Sequence, residues 1–202
     1  LLSSAPKLDG ALTKGKQPAV AESYVAWLEK KGKVLIAARC RAYLAASPYE
    51  TVIELPGPVG ERNLYGLTAR GKVMCLAQSE TGLLLQIGAA LATGNHAVVV
   101  AAEDARAALT ALPADLRRVI AIADDEGAAA DLALFEGDSD ALQRTAQKLA
   151  VRDGSVVPIF GLDRAALADG SADYALEWLV SEHAVSTNTA AAGGNASLMA
   201  IG

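Results

Sequence analysis

The stretch from Glu80 to Ala101, ETGLLLQIGAALATGNHAVVVA, decides the fold. Glu80 to Thr93 is an apolar helix, and Gly94 is placed where helices stop. His96 to Ala101 (HAVVVA) follows at once as a continuous apolar run. Such a run marks a parallel strand buried on both faces. A strand, a buried helix and a second strand in succession make the unit of a layered α/β domain.

The same alternation continues downstream. Glu103 to Leu112 reads as a helix ended by Pro113, with a short helical turn at Ala114 to Arg118. Val119 to Ala123 is a strand. Gly127 to Ala130 is a short turn or helix, and Asp131 to Phe135 is a further strand. Asp138 starts a helix that runs to Ala150, with Asp140 near its positive end. Ser155 to Phe160 is a strand, and Ala172 to Leu179 is a helix or a strand. Upstream, Lys72 to Ala77, Asn63 to Leu67 and Thr51 to Leu55 are strands, the last two separated by the rigid loop Pro56-Gly57-Pro58. Val34 to Ala46 is apolar and favours helix over strand until Ser47-Pro48 breaks it. Ala19 to Leu28 has helical spacing, with a stop at Lys30 to Lys33 around Gly32. Leu1 to Pro18 is a polar linker or a loosely packed lead-in.

The expected architecture is therefore α/β: a Rossmann-like, doubly wound parallel sheet with helices on both faces, plus a C-terminal strand with a flap-like tail. Residues 1–50 form a linker and helical annex. Residues 51–180 form the Rossmann-like domain, and 181–202 the strand and lid-like tail.

Composition narrows the chemistry. Of 202 residues, 52% are hydrophobic and only 4% aromatic, so alanine and leucine build the core. The net charge of −5 argues against nucleic acid, whose phosphates need a basic face. No apolar run is long enough to span a bilayer, so membrane contact is not indicated. No basic n-region followed by an apolar stretch marks a signal peptide. The chain opens on Leu1, which suggests a fragment of a longer polypeptide. Cys40 and Cys75 are expected to be small buried hydrophobes, sparse as in a reducing cytoplasm. His96 and His183 lack nearby ligand partners, and no metal site is expected.

The fold invites a nucleotide at the strand C-termini, yet the phosphate-binding signatures are missing. There is no G-x-G-x-x-G at a strand-to-helix turn and no G-x-x-x-x-G-K-S/T. Gly57 to Arg62 is glycine-containing but precedes the alternation, so a rigid structural loop is expected there. Within it, Glu61-Arg62 is an internal ion pair or a partner contact, with a structural role favoured. Asp124-Asp125-Glu126 reads as a solvated loop, and Asp163, Asp169 and Asp173 are scattered.

The last eighteen residues, Val185 to Gly202 (VSTNTAAAGGNASLMAIG), stand apart. Val185, Thr187 and Thr189 alternate with Ser186 and Asn188 as in a strand. Three alanines, Gly193-Gly194 and Asn195 follow, then Ser197 and the apolar end from Leu198. The segment carries no charge. It suits backbone-first docking: strand addition through the first part, close approach at Ala190 to Gly194, and anchors at Leu198, Met199 and Ile201. By composition alone it equally describes a frayed chain end.

Three blocks carry a resemblance. STNTAAAGGNASLMAIG (Ser186 to Gly202) resembles the C-terminal motif of the long proline utilization A (PutA) proteins, with Ala200 at a position that is commonly threonine. LPGPVGERNLY (Leu55 to Tyr65) resembles the C-terminal domain of the same family. GAALATGNHAVVV (Gly88 to Val100) is similar to the aldehyde dehydrogenase superfamily more widely. The resemblance runs over residues 54–202 and implies a dehydrogenase-like scaffold without its reactive groups. Val100 stands where that superfamily has a lysine that holds the cofactor's ribose. Phe135-Glu136-Gly137-Asp138 resembles its F-T-G-S cofactor-binding turn, but Glu136, Asp138 and Asp140 would bring three carboxylates to a pyrophosphate. Ile159 to Leu162 matches its E-L-G-G stretch without the glutamate, and no cysteine follows Gly161 to act as nucleophile.

The resemblance implies a non-catalytic domain with no catalytic, cofactor or metal residues of its own. The parent enzyme would carry FAD and NAD. It would oxidise proline with a flavin barrel and glutamate-γ-semialdehyde with an NAD-dependent dehydrogenase, by substrate channelling in the cytoplasm. The expected partner is the aldehyde dehydrogenase domain of the same polypeptide. Thr187, Asn188, Thr189, Ala190, Gly193, Gly194, Asn195, Ser197, Leu198 and Met199 would form the interdomain lid over the channelling cavity. Two other classes compete: a free-standing Rossmann-like protein binding a nucleotide or small acid, and an oligomerisation module that self-associates through the C-terminal strand.

Overall fold

The computed structural model describes residues 12–100, 103–109 and 111–188. In chain order its elements are β1 (Leu12–Thr13), α1 (Ala19–Lys30), α2 (Val34–Ala46), β2 (Val52–Leu55), β3 (Glu61–Ala69), β4 (Lys72–Leu76), α3 (Glu80–Ala92), β5 (His96–Val99), α4 (Glu103–Ala107), β6 (Ile120–Ile122), β7 (Leu132–Glu136), α5 (Ser139–Ala150), β8 (Ile159–Leu162), α6 (Arg164–Asp169) and β9 (Val180–Asn188). Short 3₁₀ turns at Leu116–Arg118 and Leu176–Leu179 link them.

Five strands form a parallel sheet in the order β6-β5-β4-β7-β8. The chain runs outward from β4 through β5 to β6, then returns beside β4 as β7 and runs out the other way. The sheet is thus doubly wound, with its reversal between β4 and β7. Alternate residues of β4 serve opposite faces. Val73 and Cys75 join α1, α2 and α3 in one apolar cluster. Met74 and Leu76 join Phe135, Leu149 and Val157 in a second cluster, against which α5 residues Ala141 and Leu142 pack. Helices therefore cover both faces, as the alternation of elements requires.

Every residue of α3 from Gly82 to Ala92 is buried. A helix apolar all round is stable only when it is enclosed. Here the sheet lies on one side and α1 and α2 on the other. Small residues permit the close approach: Gly88 lies against the Cys40 sulfur and near the Tyr24 ring. Tyr24 donates its hydroxyl proton to the Leu84 carbonyl at 3.0 Å, so burial of that group leaves it satisfied.

The second sheet, antiparallel and ordered β1-β2-β3-β9, projects as an arm. β3 and β9 pair along nine positions, from Ala69 opposite Val180 to Glu61 opposite Asn188. Seven of the nine β9 residues are exposed, so the arm is thin and not part of the core.

Several boundaries differ from the sequence expectation. The strand expected at 155–160 starts at Ile159, because Pro158 has no N–H and offers only its carbonyl, to Ala133 N at 2.8 Å. Of the helix expected over 103–112, only Glu103–Ala107 is helical among the described residues, and Leu109 and Leu112 are buried beyond it. β3 extends beyond 63–67 to 61–69, and β9 begins at Val180, ahead of the alternating residues from Val185, because each gains a full-length partner in the other. The short helix α6 was not expected, although its signals are local. Asp163 caps its first turn and Gly170 ends it at φ 78°. The Val34–Ala46 ambiguity resolves as helix.

Candidate functional site

The crevice at the reversal between β4 and β7 is where a doubly wound sheet binds its ligand. Three helices start around it: α3 after β4, α5 after β7 and α6 after β8. Each N-terminus carries orphan N–H groups and the positive end of a helix dipole. Together they would make a strong anion site.

All three N-termini are occupied by carboxylates of the chain itself. Glu136, the last residue of β7, is completely buried. Its Oε2 accepts hydrogen bonds from the backbone N–H of Gln78 and of Ser79, both at 2.8 Å. Its Oε1 accepts the Ser79 hydroxyl proton at 2.5 Å. The Ser79 oxygen in turn accepts from Gly82 N at 3.0 Å as the cap of α3. A relay therefore runs from the first turn of α3 through Ser79 to Glu136. Asp138 caps α5 by accepting from Ala141 N at 2.7 Å. Asp163 caps α6 by accepting from Ala165 N at 2.8 Å and Ala166 N at 3.2 Å.

Between α5 and α6 a cleft of about 210 Å³ remains, lined by Gly137, Ser139, Leu142 and Gly161 with Asp138 and Asp163. Arg164 brings a cation near Glu136, with its Nε 4.0 Å from Oε1 and its side chain mostly exposed. Tyr174 holds the end of β7 from behind. It donates to the Phe135 carbonyl at 2.9 Å and accepts from Gln86 Nε2 at 2.8 Å. Burial raises the Tyr174 phenol well above its ordinary range, so it stays protonated and able to donate. Arg39 anchors the segment after α6, bonding the Leu167 and Ala172 carbonyls at 2.5 and 3.0 Å and the Asp173 carboxylate.

These residues do not fit a dinucleotide. A pyrophosphate at α3 would have to displace a buried carboxylate that already satisfies the same donors. At α5 and α6 it would face Asp138 and Asp163, and like charges repel. Val100 is half-buried, is packed against the second apolar cluster, and has no side-chain donor for a ribose.

The remaining sequence candidates resolve one by one. The Gly57–Arg62 segment spans the β2–β3 hairpin turn and the first two residues of β3, with Glu61 N bonded to the Pro58 carbonyl at 3.1 Å, and leads into no helix. Arg62 pairs across strands with Glu54 at 3.1 Å and not with its neighbour Glu61. Asp125 closes the 124–126 loop by accepting from Gly127 N at 2.7 Å. Cys40 and Cys75 are buried, and burial pushes the Cys40 thiol up to about 12. Among the described residues no group of His, Cys, Asp and Glu could hold a metal ion, and no helix is long and apolar enough to cross a membrane.

Of the expected lid residues, Thr187 and Asn188 end β9, opposite Arg62 and Glu61. Thr189, Ala190, Gly193, Gly194, Asn195, Ser197, Leu198 and Met199 lie outside the described residues. The strand expected to add to an exposed sheet edge is paired with β3 of its own chain along one side and is the last strand of its sheet. Sequence reading did not find the pairing of Ser79 and Gly82 with Glu136. A signal was present: glycine in the first turn of an otherwise apolar helix marks a close approach.

No protein-family profile matches the chain. The chain is 39% identical over 181 residues to the bifunctional protein PutA of Rhizobium meliloti, an alignment covering 89% of this chain and 15% of that protein. It is 41% identical over 170 residues to the bifunctional protein PutA of Escherichia coli strain K12, covering 82% of this chain and 12% of that protein. The chain thus spans only a small part of these relatives. Among solved structures, a variant of Bradyrhizobium japonicum proline utilization A superposes with TM-score 0.54 at 21% identity, over 71% of this chain and 19% of that one. Proline utilization A from Bdellovibrio bacteriovorus superposes with TM-score 0.55 at 16% identity, over 71% and 20%. At such identities these two establish a shared fold.

Proposed function

This chain is homologous to the bifunctional PutA proteins, and from that premise we propose that it is a non-catalytic domain of a cytoplasmic, proline-oxidising polypeptide. In this reading a flavin-dependent proline dehydrogenase and an NAD-dependent glutamate-γ-semialdehyde dehydrogenase lie elsewhere on the same polypeptide, and FAD and NAD belong to them. The present chain packs on the aldehyde dehydrogenase domain. Its residues from Thr187 onward help seal the cavity through which the intermediate passes. Retaining an intermediate requires excluding water and no acid, base or nucleophile, which suits a crevice closed by its own carboxylates.

The observation that carries this reading is the arm. β9 ends beside the turn of the β2–β3 hairpin, with Asn188 opposite Glu61. Asn188, the last described residue, therefore lies at the tip of an exposed arm and not in the core. Deleting residues 189–202 from the polypeptide that carries them should introduce a lag in NADH formation from proline while leaving the separate dehydrogenase rate intact. Unchanged transient kinetics would remove the lid role.

A second reading draws on the open side of β9. An edge strand with exposed residues on both faces is a template for another strand, and a second copy could pair there about a two-fold axis. Light scattering on the chain with and without residues 181–202 separates the two. A dimer that depends on those residues favours self-association.

A further inference from the structure

The arm joins the parallel sheet through two crossings of the chain. One is residues 69–72, between β3 and β4, and the other is the junction of Leu179 and Val180, where β9 begins. A single buried amide meets both. Asn95, in the turn between α3 and β5, is 2% exposed. Its Oδ1 accepts from Gly71 N at 2.8 Å, and its Nδ2 donates to the Leu179 carbonyl at 2.8 Å. The same Nδ2 donates to the Thr93 hydroxyl oxygen at 2.9 Å, and that hydroxyl donates to the Ala89 carbonyl of α3 at 2.8 Å. The amide is thus fixed to the core on one side and grips both crossings on the other. A fully satisfied buried network of this kind specifies one arrangement. The neighbouring ties do less. Asp131 accepts from Lys72 N at 2.7 Å and so holds the first crossing alone. Arg70 Nε donates to the Val180 carbonyl at 3.1 Å, which joins the crossings to each other and not to the core. Gly71 itself stands at φ 130°, where glycine moves freely and its own residue type adds no stiffness.

We propose that Asn95 is a positioning residue that fastens the arm to the parallel sheet in one direction, with Gly71 as the hinge that moves when the fastening is lost. The nine paired positions of β3 and β9 carry any such movement to Asn188 at the tip. Strands of that length span roughly 27 Å, so a rotation of about 10° displaces the tip by roughly 5 Å. The inference concerns the arm alone and does not rest on the lid role.

The test uses double electron–electron resonance on the 202-residue chain, spin-labelled at Ser186→Cys in the arm and Gln143→Cys on α5, both exposed positions. Cys40 and Cys75 are buried and stay unlabelled in the folded chain. A control pair, Glu22→Cys on α1 with Gln143→Cys on α5, spans the core. The unaltered chain should give one narrow arm-to-core distance. Asn95→Ala should widen that distribution about twofold while the control pair stays narrow, because the opening is local. Arg70→Ala should leave it narrow, since Asn95 still holds each crossing. An unchanged distribution in folded Asn95→Ala overturns the proposal, and so does equal widening by Arg70→Ala. Where Asn95→Ala does not fold, Asn95→Asp takes its place: it keeps the volume and the acceptor for Gly71, loses the donor to Leu179, and should widen the distribution too. Widening of the control pair, or failure of both variants to fold, counts against the proposal, because Asn95 would then hold the core together and not the direction of the arm. Widening in Asn95→Ala without a lag in NADH formation from proline, in the polypeptide that carries the chain, supports the fastening and speaks against the lid.

Discussion

The carboxylate of Glu136 occupies the space that a β-carbon on Gly82 would take. Neither residue is explained by its own element. Glycine is a poor choice for the first turn of a helix, and a glutamate at the end of a fully buried strand is costly unless its oxygens are satisfied. Together they are consistent, because the glycine admits the carboxylate and the carboxylate satisfies the Gln78-Ser79 turn that leads into the helix.

Gly82→Ala should therefore destabilise the chain by about 1–3 kcal/mol through overpacking, although alanine is the better helix former by about 1 kcal/mol. In a Glu136→Ala background the same change should be neutral or stabilising. Urea unfolding of the four-member cycle reads the coupling. A stabilising Gly82→Ala in the unaltered chain would mean that the carboxylate does not sit where the structure puts it.

Ser79 should not tolerate the usual exchange among capping residues. Serine and aspartate cap helices about equally well, and alanine costs about 1 kcal/mol. Here Ser79→Asp would set a second carboxylate against Glu136. It should be less stable than Ser79→Ala, reversing the normal order in thermal melts.

The two thiols should make stability fall in alkali. Burial pushes the Cys40 thiol up to about 12, opposed by Arg39, and burial also raises Cys75. An unfolded thiol titrates near 8.5. Above that value the unfolded chain has lost protons the folded chain keeps, so the slope of stability with pH is negative. The contribution is fully present below about pH 8 and is lost as pH rises toward the folded values. At pH 8 burial therefore holds the folded Cys40 as the unreactive thiol. Iodoacetamide should thus label both cysteines only on unfolding, and urea midpoints should drop between about pH 8.5 and 12.

Within the arm, a β-carbon on Gly66 would lie 2.5 Å from the His183 ring, which covers it across the strand pair. Gly66→Val should push the imidazole away and loosen β9. Amide exchange over residues 180–188 should rise at least tenfold, while exchange in α3 stays unchanged. Uniform protection of β9 in the variant would show that the backbone ladder alone holds the arm.

Much of this architecture is legible in local signals. The apolar run at His96–Val99 and the enclosed helix before it declare strand and helix in succession, and Asp138 declares the start of α5. The continuous apolar runs exist because both faces of the sheet are covered, and that pattern shows without coordinates. The acidic character of Glu136 and Asp138 was visible too, as was the valine at position 100. Their meaning was not, since a carboxylate near a helix start can either repel a ligand or take its place.

By itself, then, the sequence determined a doubly wound α/β layer built on alanine and leucine, because helix and strand periodicities and caps act over a few residues. Only the tertiary structure decided that 61–69 and 180–188 pair as an arm, since antiparallel register joins residues more than a hundred positions apart and leaves no local trace. It alone put Glu136 on Gln78 and Ser79, which precede it by 58 and 57 positions, because that contact exists only once β7 has returned to lie beside β4.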